Sequence, residues 1–279
     1  MAEQPVGYNE YMFDTFVHRW LRVPYTLKVR HLRRPKNPRA TLLFLHGLGN
    51  TGEAWDGVIR RLPENVRIVT IDLLGFGESP SPSWAIYDAK TQARSVLATL
   101  LKLRITTPVI VIGHSMGALV AIEMAKRYEL LIDRLILCSP PLYDNRKVRL
   151  PRSDDLLRQM YTAAEQHPDQ FLRIATFAMK YKLINETFNV TSDNIESYMS
   201  ALRSMIINQT SLQDAYDISI PTTIIRGTLD PVVVAKNLNN LKKANPHIEV
   251  KSIIAGHEVR GLYVRSVAKA ITTQLTNGV

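Results

Sequence analysis

From residue 40 onward, short β-branched or Leu-rich runs alternate with stretches whose apolar positions recur every three or four residues. The runs lie at 40–46, 66–72, 108–112, 134–138, 222–226 and 248–254. Stretches in them that are apolar throughout, such as 42–45 and 109–112, suit parallel strands covered on both faces. Between them, Trp55, Ile59 and Leu62 mark one helix, and Val96, Leu97, Leu100 and Leu101 mark a second. A third is predicted over 115–128, where Gly117, Ala118, Ala121 and Ala125 allow close packing. A last is predicted over 259–275, with Val264, Val267, Ala268, Ile271 and Leu275 on one face. Strands alternating with helices predict an α/β fold on a doubly wound, mostly parallel sheet. The first forty residues have more strand-like than helical spacing and are expected to add an antiparallel hairpin at one edge.

The alternation stops over 142–217. Ser153 followed by Asp154 and Asp155 is a helix start signal, and Pro168 suits a first helical turn. Thr191 or Ser192 is placed to cap a further helix bearing Ile195, Tyr198, Met199, Leu202, Met205 and Ile206. The expected organisation is a core domain over 1–141 and 218–279, with a helical cap over 142–217 inserted between two strands. Ligands of such sheets bind at the carboxyl ends of the strands.

Composition narrows the class. With 279 residues and 46% hydrophobic content, the chain can bury a large core. Its longest apolar runs, such as 42–45 and 109–112, are far too short to span a bilayer. Residues 1–11 are polar and lack the layout of a secretion signal, so a soluble, cytoplasmic protein is expected. Cys138 is the single cysteine, which excludes an internal disulfide, and it reads as a core thiol. The net charge is +10, and Lys28, Arg30, Arg33, Arg34, Lys36 and Arg39 form a stretch without acids. Such a cluster can attract nucleic acid or anionic membrane. No nucleic-acid motif accompanies it, and the charges are expected on the solvated side of the hairpin, with no nucleic-acid partner.

The candidate chemistry begins at Gly113-His-Ser115-Met-Gly117, which a strand enters and a small-residue helix leaves. A strand-to-helix turn of this kind strains the serine backbone, and flanking glycines avoid collisions. The hydroxyl then projects from the sheet edge, and the helix start offers N–H groups to a developing anion. A serine hydroxyl needs a base, and the base needs an orienting acid. Asp230, just beyond the strand that ends near Arg226, and His257, just beyond the next one, would share that edge. His18, His31, His167 and His247 lie outside any such constellation, and His114 reads as a packed neighbour. In the loop after Cys138, the other position for an acid, no carboxylate appears before Asp144. The turn Leu45-His46-Gly47-Leu48-Gly49 can aim a backbone N–H at the oxyanion, with Leu48 and Met116 as the natural donors.

Taken in order, His46-Gly-Leu-Gly49, Asp72-Leu-Leu-Gly-Phe-Gly-Glu-Ser79, Gly113-His-Ser-Met-Gly117, Asp230-Pro and Gly256-His257 resemble the α/β-hydrolase superfamily over about 16–275. The resemblance implies a triad of Ser115, Asp230 and His257 and an oxyanion hole of Leu48 and Met116. It implies a structural role for 72–79 and a cap over the pocket. The expected activity is serine hydrolysis of carboxylic esters of a small, largely apolar substrate, without cofactor or metal. In the cap, Met160, Phe177 and Met199 are candidate substrate contacts, and a Met- and Phe-rich insert suits an adaptable acyl pocket.

Other readings stand beside it. Gly47-Leu-Gly49-Asn-Thr-Gly52, with Asp72 about twenty residues on, matches a dinucleotide fingerprint and so a nicotinamide-dependent oxidoreductase. That reading leaves Ser115, Asp230 and His257 unexplained. The same turn lacks the Lys of a phosphate loop, and Gly261 stands where a zinc helix needs its second histidine. A carbon–carbon bond hydrolase and a small-molecule receptor with a slow triad are alternatives within the superfamily.

Overall fold

The computed structural model describes residues 8–144, 190–191 and 194–277, with 166, 167 and 173 in addition. Among these residues, seven strands form one sheet in the order β1-β3-β2-β4-β5-β6-β7. They are β1 (Val29–Arg33), β2 (Thr41–Leu45), β3 (Arg67–Ile71), β4 (Val109–His114), β5 (Ile132–Cys138), β6 (Thr222–Gly227) and β7 (Ile248–Ile253). All neighbours run parallel except β1, which pairs antiparallel with β3.

Strand alternation sends successive side chains to opposite faces, which divides the core in two. Leu43, Leu45, Val69, Ile71, Val109, Val111, Leu135 and Leu137 face one cluster, with Ala118, Leu119 and Ile122 of the helix after β4. Leu42, Phe44, Ile68, Ile110, Ile112 and Ile136 face the other, with Trp55, Tyr263, Val267 and Ile271. Each such side chain contributes about 1.5–3 kcal/mol by leaving water. The parallel doubly wound sheet read from the apolar runs is therefore the observed one. β7 departs from the expected two-sided burial because it is an edge strand, exposed or half-buried after Ile248.

The helices are α1 (Tyr8–Thr15), continued as a π-helical turn over Phe16–Trp20, α2 (Asp56–Ile59), α3 (Ala89–Lys102), α4 (Met116–Arg127), α5 (Ile195–Ala201), α6 (Ser211–Tyr216), α7 (Ala235–Ala244) and α8 (Leu262–Asn277). α3 starts where the Asp88 carboxylate accepts the Thr91 N–H at 2.7 Å, satisfying one of the donors a helix start leaves unpaired. It buries Ala93, Val96 and Leu100, whereas Leu97 is half-buried and Leu101 is exposed.

The expected antiparallel edge is present at the N-terminus, but not as a hairpin. Among the described residues, 8–20 are helical, and β1 pairs with β3 and not with β2, the strand next in sequence. Of the basic stretch, Lys28, Arg34, Lys36 and Arg39 are exposed as expected, but Arg30 is not. Arg30 is mostly buried and bonds the Asp72 carboxylate at 2.7 Å and Glu78 at 2.6 Å, and Lys28 pairs with Glu78.

Of the segment between β5 and β6, the described residues include α5, its π-helical continuation Leu202–Ile207, and α6, whereas the helix starts expected at Ser153 and Pro168 lie outside the described residues. Asn194, not Thr191 or Ser192, holds the N-cap position, and its Oδ1 accepts the Thr191 N–H at 2.8 Å. Ser197 meets Ser81 at 2.7 Å and the Ser204 hydroxyl donates to the Tyr87 carbonyl at 3.0 Å, so α5 and its continuation rest on the loop after β3.

Candidate functional site

Parallel register aligns the strand ends. Leu45 lies opposite Gly113, His114 opposite Cys138, Cys138 opposite Ile225, and Gly227 opposite Ile253. The loops that leave β2, β4, β5, β6 and β7 therefore emerge along one edge, and they carry Leu48, Ser115, Ser139, Asp230 and His257.

Ser115 sits between β4 and α4 at φ +50° and ψ −116°, outside the regions an L-residue ordinarily adopts. The turn is held by Ser115 N–H donating to the Cys138 carbonyl at 2.9 Å. It also requires that β4, β2 and α4 nearly touch. A methyl group on Gly117 would lie 2.4 Å from the Leu45 carbonyl oxygen, and one on Gly113 2.4 Å from that of Gly117. Only a missing Cβ permits those approaches. Cys138 itself is fully buried, and burial pushes its thiol far above the ordinary range.

The three side chains named from the sequence come together. His257 Nε2 lies 3.0 Å from Ser115 Oγ, and His257 Nδ1 lies 2.9 Å from Asp230 Oδ2. A carboxylate can only accept, so Nδ1–H donates to Asp230 and Nε2 is left to accept the serine proton. Burial pushes the Asp230 carboxyl upward. The bond and charge of His257, a hydrogen bond with the Ser139 hydroxyl and the Val232 N–H at 2.8 Å outweigh it, and the net displacement is downward. Asp230 is thereby kept ionised beside the imidazole.

Several neighbours carry no advance signal in the sequence. Ser139 occupies the strand end after which the sequence offers no acid before Asp144. It is fully buried at φ +47°, with its hydroxyl 3.0 Å from that of Tyr263, while the Tyr263 hydroxyl donates to the Ile225 carbonyl at 2.6 Å. His114, read as packed, is buried, and its Nε2 contacts the His257 carbonyl at 3.0 Å, which ties the loop of the base to that of the serine. Burial and the nearby His257 push the His114 pKa down, which favours the neutral ring; because a carbonyl only accepts, the proton of that ring sits on Nε2 and is donated to His257.

The turn after β2 abuts the serine. A methyl group on Gly47 would lie 3.3 Å from the Ser115 Cβ. The adjacent His46 is fully buried. Its Nε2 accepts the Leu73 N–H at 2.8 Å, which obliges Nδ1–H to donate to the Gly47 carbonyl, also at 2.8 Å. Burial drives its pKa from 6.5 down to about 4. Unfolded His46 thus binds a proton that folded His46 refuses between those values. Folding stability should fall by about 3 kcal/mol as pH drops through that window. Urea midpoints measured from pH 7 to pH 4.5 should fall more steeply in the wild type than in His46→Gln. Parallel curves would remove His46 as the cause.

Asp72, the acid of the dinucleotide fingerprint, is fully buried and occupied. Oδ1 accepts the Gly52 N–H at 2.8 Å, and Oδ2 accepts the Glu78 N–H at 2.9 Å as well as Arg30 Nε. Ser79 donates to the Asp72 carbonyl at 2.6 Å. Buried and engaged by the glycine turn and Arg30, its oxygens offer no exposed acceptor to a ribose, which speaks against the cofactor reading. Of the cap candidates, Met199 is half-buried against the main core, with Tyr198 and Met205 buried beside it. Met160 and Phe177 lie outside the described residues. Among the described residues, no three His, Cys, Asp or Glu side chains are placed to share a metal ion, and no helix is long and apolar enough to cross a membrane.

Comparison with known proteins accords with this architecture. The family model of the α/β hydrolase fold matches residues 40–259, and the chain belongs to that family. It is 29% identical over 262 residues to Lipase LipV of Mycobacterium tuberculosis, covering 88% of this chain and 97% of that one. It is 29% identical over 110 residues to the probable lysophospholipase BODYGUARD 4 of Arabidopsis thaliana. That alignment takes in 39% of this chain and only 26% of the relative. Among solved structures, the enol-lactonase from Burkholderia xenovorans LB400 superposes with TM-score 0.74 at 20% identity, over 90% of this chain and 96% of that one. A thermophilic esterase from Thermogutta terrifontis superposes with TM-score 0.68 at 21% identity, over 85% and 90%. These likenesses establish the fold.

Proposed function

We propose that the chain is a serine hydrolase that cleaves carboxylic esters of small, largely apolar substrates through an acyl-enzyme on Ser115. The observation that carries this reading is the unbroken chain from Ser115 Oγ to His257 at 3.0 Å and from His257 to Asp230 at 2.9 Å. His257 Nε2 takes the hydroxyl proton as Oγ attacks the ester carbonyl, and Asp230 holds the ring and stabilises the imidazolium. The Met116 N–H, at the start of α4 where intrahelical partners are lacking, and the Leu48 N–H, in the turn that abuts Ser115, receive the oxyanion. Each donor of this kind is worth about 3 kcal/mol in the transition state. The imidazolium returns its proton to the leaving alcohol. Water, deprotonated by the same nitrogen, then releases the acid and restores Ser115. The near-complete alignment with a relative named as a lipase supports an ester substrate.

A panel of p-nitrophenyl esters tests the substrate class. Turnover of acetate to octanoate esters is the expected result, falling for longer chains. If none is turned over while a fluorophosphonate still labels Ser115, the ester assignment fails and the nucleophile assignment stands.

A further inference from the structure

The N-terminal helix is built inside out. Its seated face carries polar groups. Asp14 accepts the Tyr25 hydroxyl at 2.6 Å, and His18, one turn on, stacks on the Tyr25 ring at 3.6 Å and contacts the Val23 carbonyl at 2.7 Å. Its outward face carries Met12, Phe13, Phe16 and Trp20, which are 54%, 70%, 54% and 75% exposed. An amphipathic helix of a water-soluble domain presents the opposite arrangement. Scattered exposed apolar residues are ordinary, but three large side chains and an indole on one helix face mark an interaction surface. Leu21 and Val23 continue it past the helix end, at 58% and 45% exposed.

The surroundings say what covers that face. Between the helix end and the loop after β3 lies a hollow of about 170 Å³, lined in part by Arg19, Arg22, Arg94, Trp84 and Ile86 and, among the described residues, by no acidic side chain. Arg94 is fixed there by donating to the Arg22 carbonyl at 2.7 Å. Arg19 is exposed on the outward face itself, and the whole chain carries +10. A second copy of the chain seated face to face would oppose these arginines to one another. An anionic surface would be attracted by them.

We propose that this face docks on an anionic lipid surface, with Met12, Phe13, Phe16 and Trp20 entering the acyl boundary and the arginine-lined hollow receiving a lipid phosphate. A helix lying in the interface, apolar on one side with basic residues at its margin, is the physical form of such an anchor. The hollow also reaches Leu74 and Trp84, in the loop that leaves β3 at the same sheet edge as Ser115. Docking therefore brings the lipid surface alongside the candidate site.

Co-sedimentation with vesicles of ether-linked phosphatidylcholine, alone or with 30% ether-linked phosphatidylglycerol, tests the proposal, since ether lipids exclude turnover as a cause of binding. Anionic vesicles should bind the wild-type protein roughly tenfold more tightly than neutral ones, and Phe16→Ser with Trp20→Ser should weaken binding by about tenfold or more. Arg19→Gln with Arg22→Gln should remove the preference for anionic vesicles. All these positions are exposed, so the melting temperature should not move. Equal binding to both vesicles, or binding indifferent to the helix substitutions, would overturn the proposal. So would a concentration-dependent dimer that Phe16→Ser with Trp20→Ser abolishes while vesicles stay unbound. None of these readouts depends on ester hydrolysis, so failure of either idea leaves the other intact.

Discussion

Replacing Ser115 with alanine is expected to lower ester turnover by roughly 10⁴-fold or more, leaving the folded protein as stable as before. The stability half of this expectation follows from geometry. Among the described residues, Oγ hydrogen-bonds with His257, whereas the strained turn is held by the Ser115 N–H, by Gly113 and by Gly117, all of which alanine leaves in place. The activity half follows from the single proton path. With Oγ gone, His257 has nothing to activate but water. His257→Ala should therefore be about as damaging as Ser115→Ala, and the double variant no worse than either, because groups that act as one unit are not additive. Intact mass after fluorophosphonate treatment reads the same point directly. One adduct is expected on the wild type and none on Ser115→Ala. Adducts on both, or a double variant far slower than the singles, would mean that the nucleophile lies elsewhere.

Asp72→Ala is expected to be the most destabilising single change near the site, by about 3–5 kcal/mol. Its carboxylate is the hub of three chain segments: Arg30 of β1, Gly52 after β2 and Glu78 after β3. Truncation leaves the buried Gly52 N–H without its acceptor. It also removes the most buried of the carboxylates that Arg30 contacts, leaving Glu78 and Glu53, both more than half exposed. Asp72→Asn keeps the shape but turns an amide toward donors, and should cost less. Urea denaturation measures both. A loss below about 1 kcal/mol for the alanine variant would show that the hub is dispensable. Since the Gly52 turn belongs to the loop bearing Leu48, the asparagine variant should also lose turnover more than substrate affinity.

The legible parts of this chain were those whose signal is local. The central strands are legible from apolar runs such as 42–45 and 109–112, which arise because β2 and β4 are covered on both faces. Ser115 was visible because the turn that strains it demands glycine at 113 and 117 within one pentapeptide. Asp230 and His257 could be picked because each follows a strand end. What stayed hidden depends on partners far along the chain. β1 looked like half of a hairpin until β3 claimed it. The N-terminal helix is hard to read although Met12, Phe13, Phe16 and Trp20 share one face, because a stripe over so few turns gives little periodicity to count. α7 went unmarked because a stripe of only Leu238 and Leu241 suffices for a helix lying at the rim of the sheet. Ser139 and Tyr263 meet across 124 residues, and no spacing rule foretells such a pair.

Cys138 leads to a practical end. The only sulfhydryl in the chain faces the inner layer of the sheet, shut away from solvent and held in its protonated, unreactive form. Maleimides and iodoacetamides should therefore pass the native molecule by. A cysteine introduced at an exterior position such as Ile86 would be the single thiolate they meet, so a spin label or fluorophore can be seated beside the N-terminal helix without first removing the natural residue.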